Sequence, residues 1–289
     1  MSTMVSFGDN KLATNFMTMD QLKAACPVAF VENSTNPKVS ERYKVTKTEE
    51  IVEALAKEGW YPVQAKQCRP KKNSKGVRSF HMIAFQNPNV KINKVYDDGT
   101  EEVDTFPRII LTNSHDGYNS FKFMVGLYRL VCSNGLCISD GEFEKISIRH
   151  THDTEFIRIV CSEAVKRVPE IAATMTTMKN TEVTEEQKAE LATEVMKIRK
   201  DVEEEQKFDI DEATIMDILE PTREEDKSDD LWTVFNICQE KMIKGGFSAT
   251  GKNDKVRKQR RITSVKKDLE YNRRLWDFAM RYVPANAAA

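Results

Sequence analysis

The chain has 289 residues, of which 40% are hydrophobic and 31% charged, and its net charge is −1. That length suits one large core with a helical extension, and no apolar run approaches the ~18 residues of a membrane span. The near-neutral total hides an asymmetry, because residues 181–230 hold 19 Asp/Glu against 7 Lys/Arg, a local net of −12 that leaves +11 on the remainder.

The first fifteen residues lack a basic region followed by an apolar stretch, so no secretory signal is expected. Six cysteines at irregular spacing (Cys26, Cys68, Cys132, Cys137, Cys161, Cys238) then read as reduced thiols of a cytoplasmic protein, several of them buried.

Residues 1–45 are expected to form an N-terminal arm with a short helix at 20–25. Thr46 and Glu49 have capping-box spacing and open a helix through Ile51 and Leu55 that closes at Gly59. Alternation predicts strands at 60–68 and 80–85, with a basic turn at 69–76 between them. Residues 87–105 read as a connection, and Ile109-Ile110-Leu111 marks a strand at 106–112. The polar turn Asn113-Ser114-His115-Asp116-Gly117 follows. Phe121, Met124, Val125, Tyr128 and Val131 fall at helical spacing and predict a helix at 121–134, so that 106–135 forms a strand–turn–helix unit. Two further strands are expected at 136–139 and 145–150.

From residue 153 the pattern becomes helical. A long helix kinked near Pro169 is expected, then one capped by Thr184 with Gln187, one starting between Asp209 and Glu212, and one at 231–243 stopped by Gly245-Gly246. A basic loop occupies 248–261 and a last helix 269–282. The expected class is α+β: an N-terminal antiparallel sheet with packed helices, then a mainly helical half. The division is an arm at 1–45, a mixed core at 46–152, and a helical region at 153–289 with the acidic segment 181–230 and basic segment 248–267.

No Gly-rich phosphate loop, G-x-S-x-G elbow, H-E-x-x-H helix or kinase set is present, so no catalytic residue, metal or cofactor is assigned. His115-Asp116 with His150 and His152 is a conceivable metal set, but shaping a turn is the commoner role for such a pair. Two basic clusters stand out. One is Lys66, Arg69, Lys71, Lys72, Lys75 and Arg78. The other includes Lys252, Lys255, Arg257, Lys258, Arg260, Arg261, Lys266 and Lys267. Basic loops beside aromatic-bearing strands suit contact with a phosphate backbone. Arg129, on the expected helix, is a further polar candidate.

The run Thr112-Asn113-Ser114-His115-Asp116-Gly117, with Arg129-Leu130-Val131-Cys132-Ser133-Asn134-Gly135-Leu136, resembles a phage- and plasmid-borne family of unknown function. Pro221-Thr222-Arg223, Asp230-Leu231-Trp232-Thr233, Gly245-Gly246 and Asn272-Arg273-Arg274-Leu275-Trp276 extend that resemblance. It implies a mobile-element origin and supplies no activity. The expected order of helix, three strands and helix is similar to single-strand annealing proteins of the Redβ, RecT and Erf kind. This second resemblance implies a homo-oligomer that binds single-stranded DNA in a basic groove. The leading expectation is therefore a sequence-nonspecific single-stranded DNA binding or annealing protein. The alternatives are a host-takeover or antirestriction factor that binds a host protein through its acidic segment, and a metal-dependent hydrolase centred on His115 and Asp116.

Overall fold

The computed structural model describes residues 2–7, 16–34, 36, 39, 47–68, 79–95, 98–129, 134–137, 154–202, 209–250 and 255–284. The expected α+β class is what the fold shows. Seven strands form one antiparallel sheet: β1 (Ser2–Phe7), β2 (Tyr61–Gln67), β3 (His81–Gln86), β4 (Val90–Val95), β5 (Glu101–Asn113), β6 (Lys122–Arg129) and β7 (Asn134–Cys137). β1, in the expected arm, pairs with β4.

β5 is the spine of the sheet. Thr105 pairs with Ile92 on one side and Arg129 on the other, so β4 and β6 occupy opposite edges. Arg108–Asn113 pair with β3, which lines the same edge as β4, end to end with it. The segment expected to be a connection, 87–105, thus supplies β4 and the start of β5.

The expected helix at 121–134 is instead β6, and the strand–turn–helix unit is a strand–turn–strand hairpin. The sequence there satisfies both periods. Phe121, Phe123, Val125 and Leu127 alternate and are buried in the main core, whereas Met124 and Tyr128 lie half-buried on the opposite face. Aromatic and β-branched residues with Gly126 favour the extended form, and eight residue pairs with β5 select it. The element order expected from annealing proteins is therefore not found. The second strand expected near 145–150 lies outside the described residues.

Helices α1 (Met19–Ala25) and α2 (Thr48–Lys57) lie in the chain between β1 and β2. α2 is N-capped by Lys47, which makes no side-chain capping bond, and Thr46 lies outside the described residues. After the sheet come α3 (Thr154–Lys179), α4 (Glu185–Lys200), α5 (Glu212–Leu219), α6 (Leu231–Lys244) and α7 (Val265–Ala279). α3 runs through Pro169 as one helix. The Thr184–Gln187 capping box is formed in both directions, with Thr184 Oγ1 accepting from the Gln187 N–H and Gln187 Oε1 from the Thr184 N–H. Thr184→Ala is expected to lower stability by about 1 kcal/mol in urea unfolding.

One hydrophobic core joins both halves. Ile83, Phe85, Ile109, Leu111, Phe123 and Val125 from one sheet face pack with Val160, Met175, Leu191, Phe235 and Trp276 from the helices. On the opposite face a smaller cluster, Phe80, Met82, Ala84 and Ile110, is covered by Val265 and Leu269 of α7. Cys26, Cys161 and Cys238 are buried free thiols as expected, and burial pushes each up to about 12. Among the described residues no helix is long and apolar enough to cross a membrane.

The basic segment expected to be a loop contains a short hairpin, β8 (Ser248–Thr250) paired with β9 (Val256–Lys258). It is fastened to the end of α6, where the Gln259 N–H donates to the Phe247 carbonyl at 2.7 Å and that of Ile262 to the Ile243 carbonyl at 2.8 Å. Arg199 of α4 donates to the Met242 and Arg260 carbonyls, holding the same segment from the other side.

Candidate nucleic-acid interface

One end of the sheet is closed by the turn 114–120. Gly117 sits there with φ of +74°, a left-handed conformation that side-chain-bearing residues avoid. A Cβ at that position would approach Val39 Cγ1 to 2.9 Å. Ser114 Oγ donates to the Asn119 carbonyl at 3.2 Å and accepts from the Asn119 N–H at 3.0 Å, which cinches the turn. Asp116 Oδ1 accepts from the Tyr118 N–H at 3.0 Å, and Oδ2 from the Ser79 N–H at 3.2 Å. The His115 N–H donates to Ser79 Oγ at 2.6 Å, and Ser34 Oγ donates to the His115 carbonyl at 2.8 Å.

This places the conspicuous His115-Asp116 pair inside the protein. His115 stacks on His81 with ring centroids 5.1 Å apart, and both rings are buried. His81 Nδ1 lies 2.8 Å from the Ser79 carbonyl, a contact that requires the proton on Nδ1. Burial, more than the nearby His115, lowers the His81 pKa to about 3, so the ring is neutral. For Asp116, burial alone would raise the pKa. Hydrogen bonds from Ser114, Tyr118 and Ser79 outweigh it and hold the carboxyl below its ordinary value. The pair therefore pins the turn to β3. Among the described residues no group of three or more His, Cys, Asp or Glu is arranged to hold a metal ion, and His150 and His152 lie outside them.

Outward from this buried knot stands Tyr118, 74% exposed. Beside it, Lys266 Nζ donates to Asn119 Oδ1 at 2.6 Å and lies 4.9 Å from the centre of the Phe80 ring. Lys266 is on the first turn of α7, directly after the segment bearing Arg257, Lys258, Arg260 and Arg261. Those four cations are exposed, and among the described residues none has an ion pair. Cys68 and Ser79 lie at the same sheet end, where the Cys68 N–H donates to the Phe80 carbonyl at 2.9 Å. Arg69, Lys71, Lys72, Lys75 and Arg78, between them in the chain, lie outside the described residues.

Two other candidates are placed differently. Lys66 on β2 is half-buried and ion-paired with Asp268 of α7 at 2.7 Å. Arg129 is buried at the end of β6, away from solvent. Its Nη1 meets Asp226 at 3.1 Å, and its Nε lies 3.9 Å from Asp104. Asp104 is the extra residue of a β-bulge, since Ile92 pairs with Thr105 and Asn93 with Val103. Such a bulge re-aims a side chain, and Asp104 also takes Lys179 of α3 at 2.9 Å. Asp226 in turn binds Arg223, which makes a two-pronged pair with Glu240 at 2.8 Å. That fork, first among the causes, raises the Arg223 pKa. The acidic segment 181–230 is thus partly internal, and Asp226 carries it onto the sheet.

Tyr118 was not singled out by the sequence. Its available signal is an aromatic side chain in a polar turn, between the positive-φ Gly117 and Asn119.

Fold and surface together define an α+β protein whose antiparallel sheet ends in a turn bearing an exposed aromatic ring, with Lys266 against it. The chain belongs to the DUF932 family, a domain of unknown function whose family model matches residues 37–276. It is similar to the UPF0380 protein YafZ of Escherichia coli strain K12, at 27% identity over 272 residues, covering 91% of this chain and 90% of that protein. It is also similar to the UPF0380 protein YfjQ of the same strain, at 27% identity over 265 residues with the same coverage. No solved structure matches.

Proposed function

We propose that this chain binds single-stranded nucleic acid without sequence preference, as a cytoplasmic protein of a phage or plasmid that assembles as a homo-oligomer. The observation that carries the reading is Lys266, which touches both Asn119 and Phe80. Lys266 follows the cations of 257–261 by a few residues, and it touches the sheet end at which the chain enters and leaves the basic run 69–78. Two clusters far apart in sequence are thus each joined by short stretches of chain to a sheet end that bears an exposed ring. Cations neutralise phosphates and release counterions, while a ring offers any base a stacking face. Arg129 and Lys66, occupied by carboxylates, have no part in it.

The test is binding of a fluorescent oligo-dT to the purified chain across a salt series. Replacing Arg257, Arg260 and Arg261 together by Gln is expected to flatten the slope of log K against log salt by about 2, at ~0.7 for each phosphate that is no longer neutralised. Tyr118→Ala is expected to weaken binding by about 1–3 kcal/mol, the worth of one stacked base, while the salt slope stays unchanged. No binding by the native chain at low ionic strength would overturn the proposal.

A further inference from the structure

Away from the sheet end, the sheet face opposite the main core carries a cation that no carboxylate of the described residues answers. Arg108 on β5 is 8% exposed. Its Nε donates to Gln86 Oε1 at 3.1 Å, and its guanidinium lies 3.7 Å from the centre of the Tyr128 ring. Gly126, directly opposite Arg108 in the register, has no side chain, which lets the guanidinium cross β6 towards Tyr128. Among the described residues no acidic side chain bonds to it. Burial lowers its pKa to about 10, against an upward pull from Tyr128.

Gln86 adds a second unanswered donor. It is 0% exposed, its Oε1 is taken by Arg108, and its Nε2 has no hydrogen-bond partner among the described residues. Lys91 on β4 is buried on the same face, on the strand that continues β3 along the edge of β5. Buried donors are almost always satisfied, and a buried cation is almost always paired. A planar fork held on an aromatic ring, with an amide NH₂ beside it, matches an acceptor having several oxygens.

We propose that Arg108, Gln86 and Tyr128 form a binding site for a phosphate-class oxyanion. Arg108 supplies the charge and the fork, Tyr128 fixes the plane of the guanidinium, and Gln86 donates through its free Nε2. The ligand is either a phosphodiester of a nucleic-acid strand or a free phosphate or pyrophosphate. The site lies on a different part of the sheet from the cations of 257–261, so it stands or falls separately from the function proposed above.

Calorimetric titration of the full chain with pyrophosphate, and separately with oligo-dT, tests this. The native chain is expected to bind pyrophosphate, and Arg108→Lys, which keeps the charge and loses the fork, is expected to bind at least ten-fold more weakly. The triple variant Arg257→Gln, Arg260→Gln, Arg261→Gln is expected to bind pyrophosphate as the native chain does. Weaker oligo-dT binding by Arg108→Lys identifies a strand phosphate as the ligand, and unchanged oligo-dT binding identifies the free anion. The proposal is overturned if the native chain does not bind pyrophosphate. It is equally overturned if Arg108→Lys, at an unchanged melting temperature, binds it as tightly as the native chain. Loss of pyrophosphate binding in the triple variant would also sink it. Failure of oligo-dT binding alone counts only against the function proposed above.

Discussion

Asp226→Ala is expected to lower the unfolding free energy by about 3–5 kcal/mol, read as a drop in the urea midpoint with the denaturant slope unchanged. The side chain is buried between Arg129 and Arg223. Without it Arg129 keeps, among the described residues, only Asp104, at 3.9 Å, beyond hydrogen-bond distance. A buried guanidinium is then left uncompensated, and that desolvation is what the midpoint reports. Arg223 suffers less, because its fork on Glu240 persists and it is partly open to solvent. The double variant Asp226→Leu with Arg129→Met removes both charges and replaces them with apolar bulk. It is expected to be more stable than Asp226→Ala alone, since buried ion pairs exchanged for hydrophobic residues of similar volume lose little. A double variant no more stable than the single one would mean that the network matters through its shape and not its charge.

His81 is expected to make stability fall as the solution is acidified below about pH 6.5. Its pKa is lowered from 6.5 in the unfolded chain to about 3 in the fold. Between those values the unfolded state takes up a proton that the folded state refuses, so protonation favours unfolding. The stabilising contribution is complete above about 6.5 and is lost progressively towards about 3. The slope approaches 1.4 kcal/mol per pH unit, which makes the loss between pH 6.5 and 5 about 2 kcal/mol. Gln at this position can still donate to the Ser79 carbonyl but does not titrate. His81→Gln is therefore expected to be somewhat less stable at neutral pH and to lose distinctly less than the native chain on going to pH 5. Equal losses in the two proteins would show that the ring is protonated in the fold and that the knot beneath Tyr118 is not the one described. Because His81 and His115 stack beneath the turn, acid is also expected to loosen Tyr118 before the rest of the sheet.

Local signals were enough for much of this chain. Thr184 with Gln187, Gly59 at the end of α2 and Gly245 at the end of α6 each set an element boundary by the chemistry of one or two residues, and each was legible. The α+β class followed from alternation in the first half and helical spacing in the second. Residues 121–129 were not legible, because Phe121, Val125 and Tyr128 fit a helix as well as Phe121, Phe123 and Val125 fit a strand. Pairing with β5 resolves that ambiguity, and β5 lies outside any window that periodicity inspects.

Charge behaved in the same way. Composition and order located Lys66, Arg129 and Arg257 as cations but were silent on their partners. A carboxylate reaches Lys66 from Asp268 and Arg129 from Asp226, each across roughly a hundred residues or more of chain. None reaches Arg257 among the described residues. The sequence by itself determined which residues carry charge, where α4 begins, where α2 and α6 stop, and that His115-Asp116 sits in a turn. Tertiary structure alone decided that this turn is buried on His81 and Ser79, that Tyr118 faces outward, and that Arg108 meets no carboxylate among the described residues. The reason is physical: the free energy of a charge or a polar ring depends on what excludes water from it, and here that is supplied by strands and helices remote in the chain.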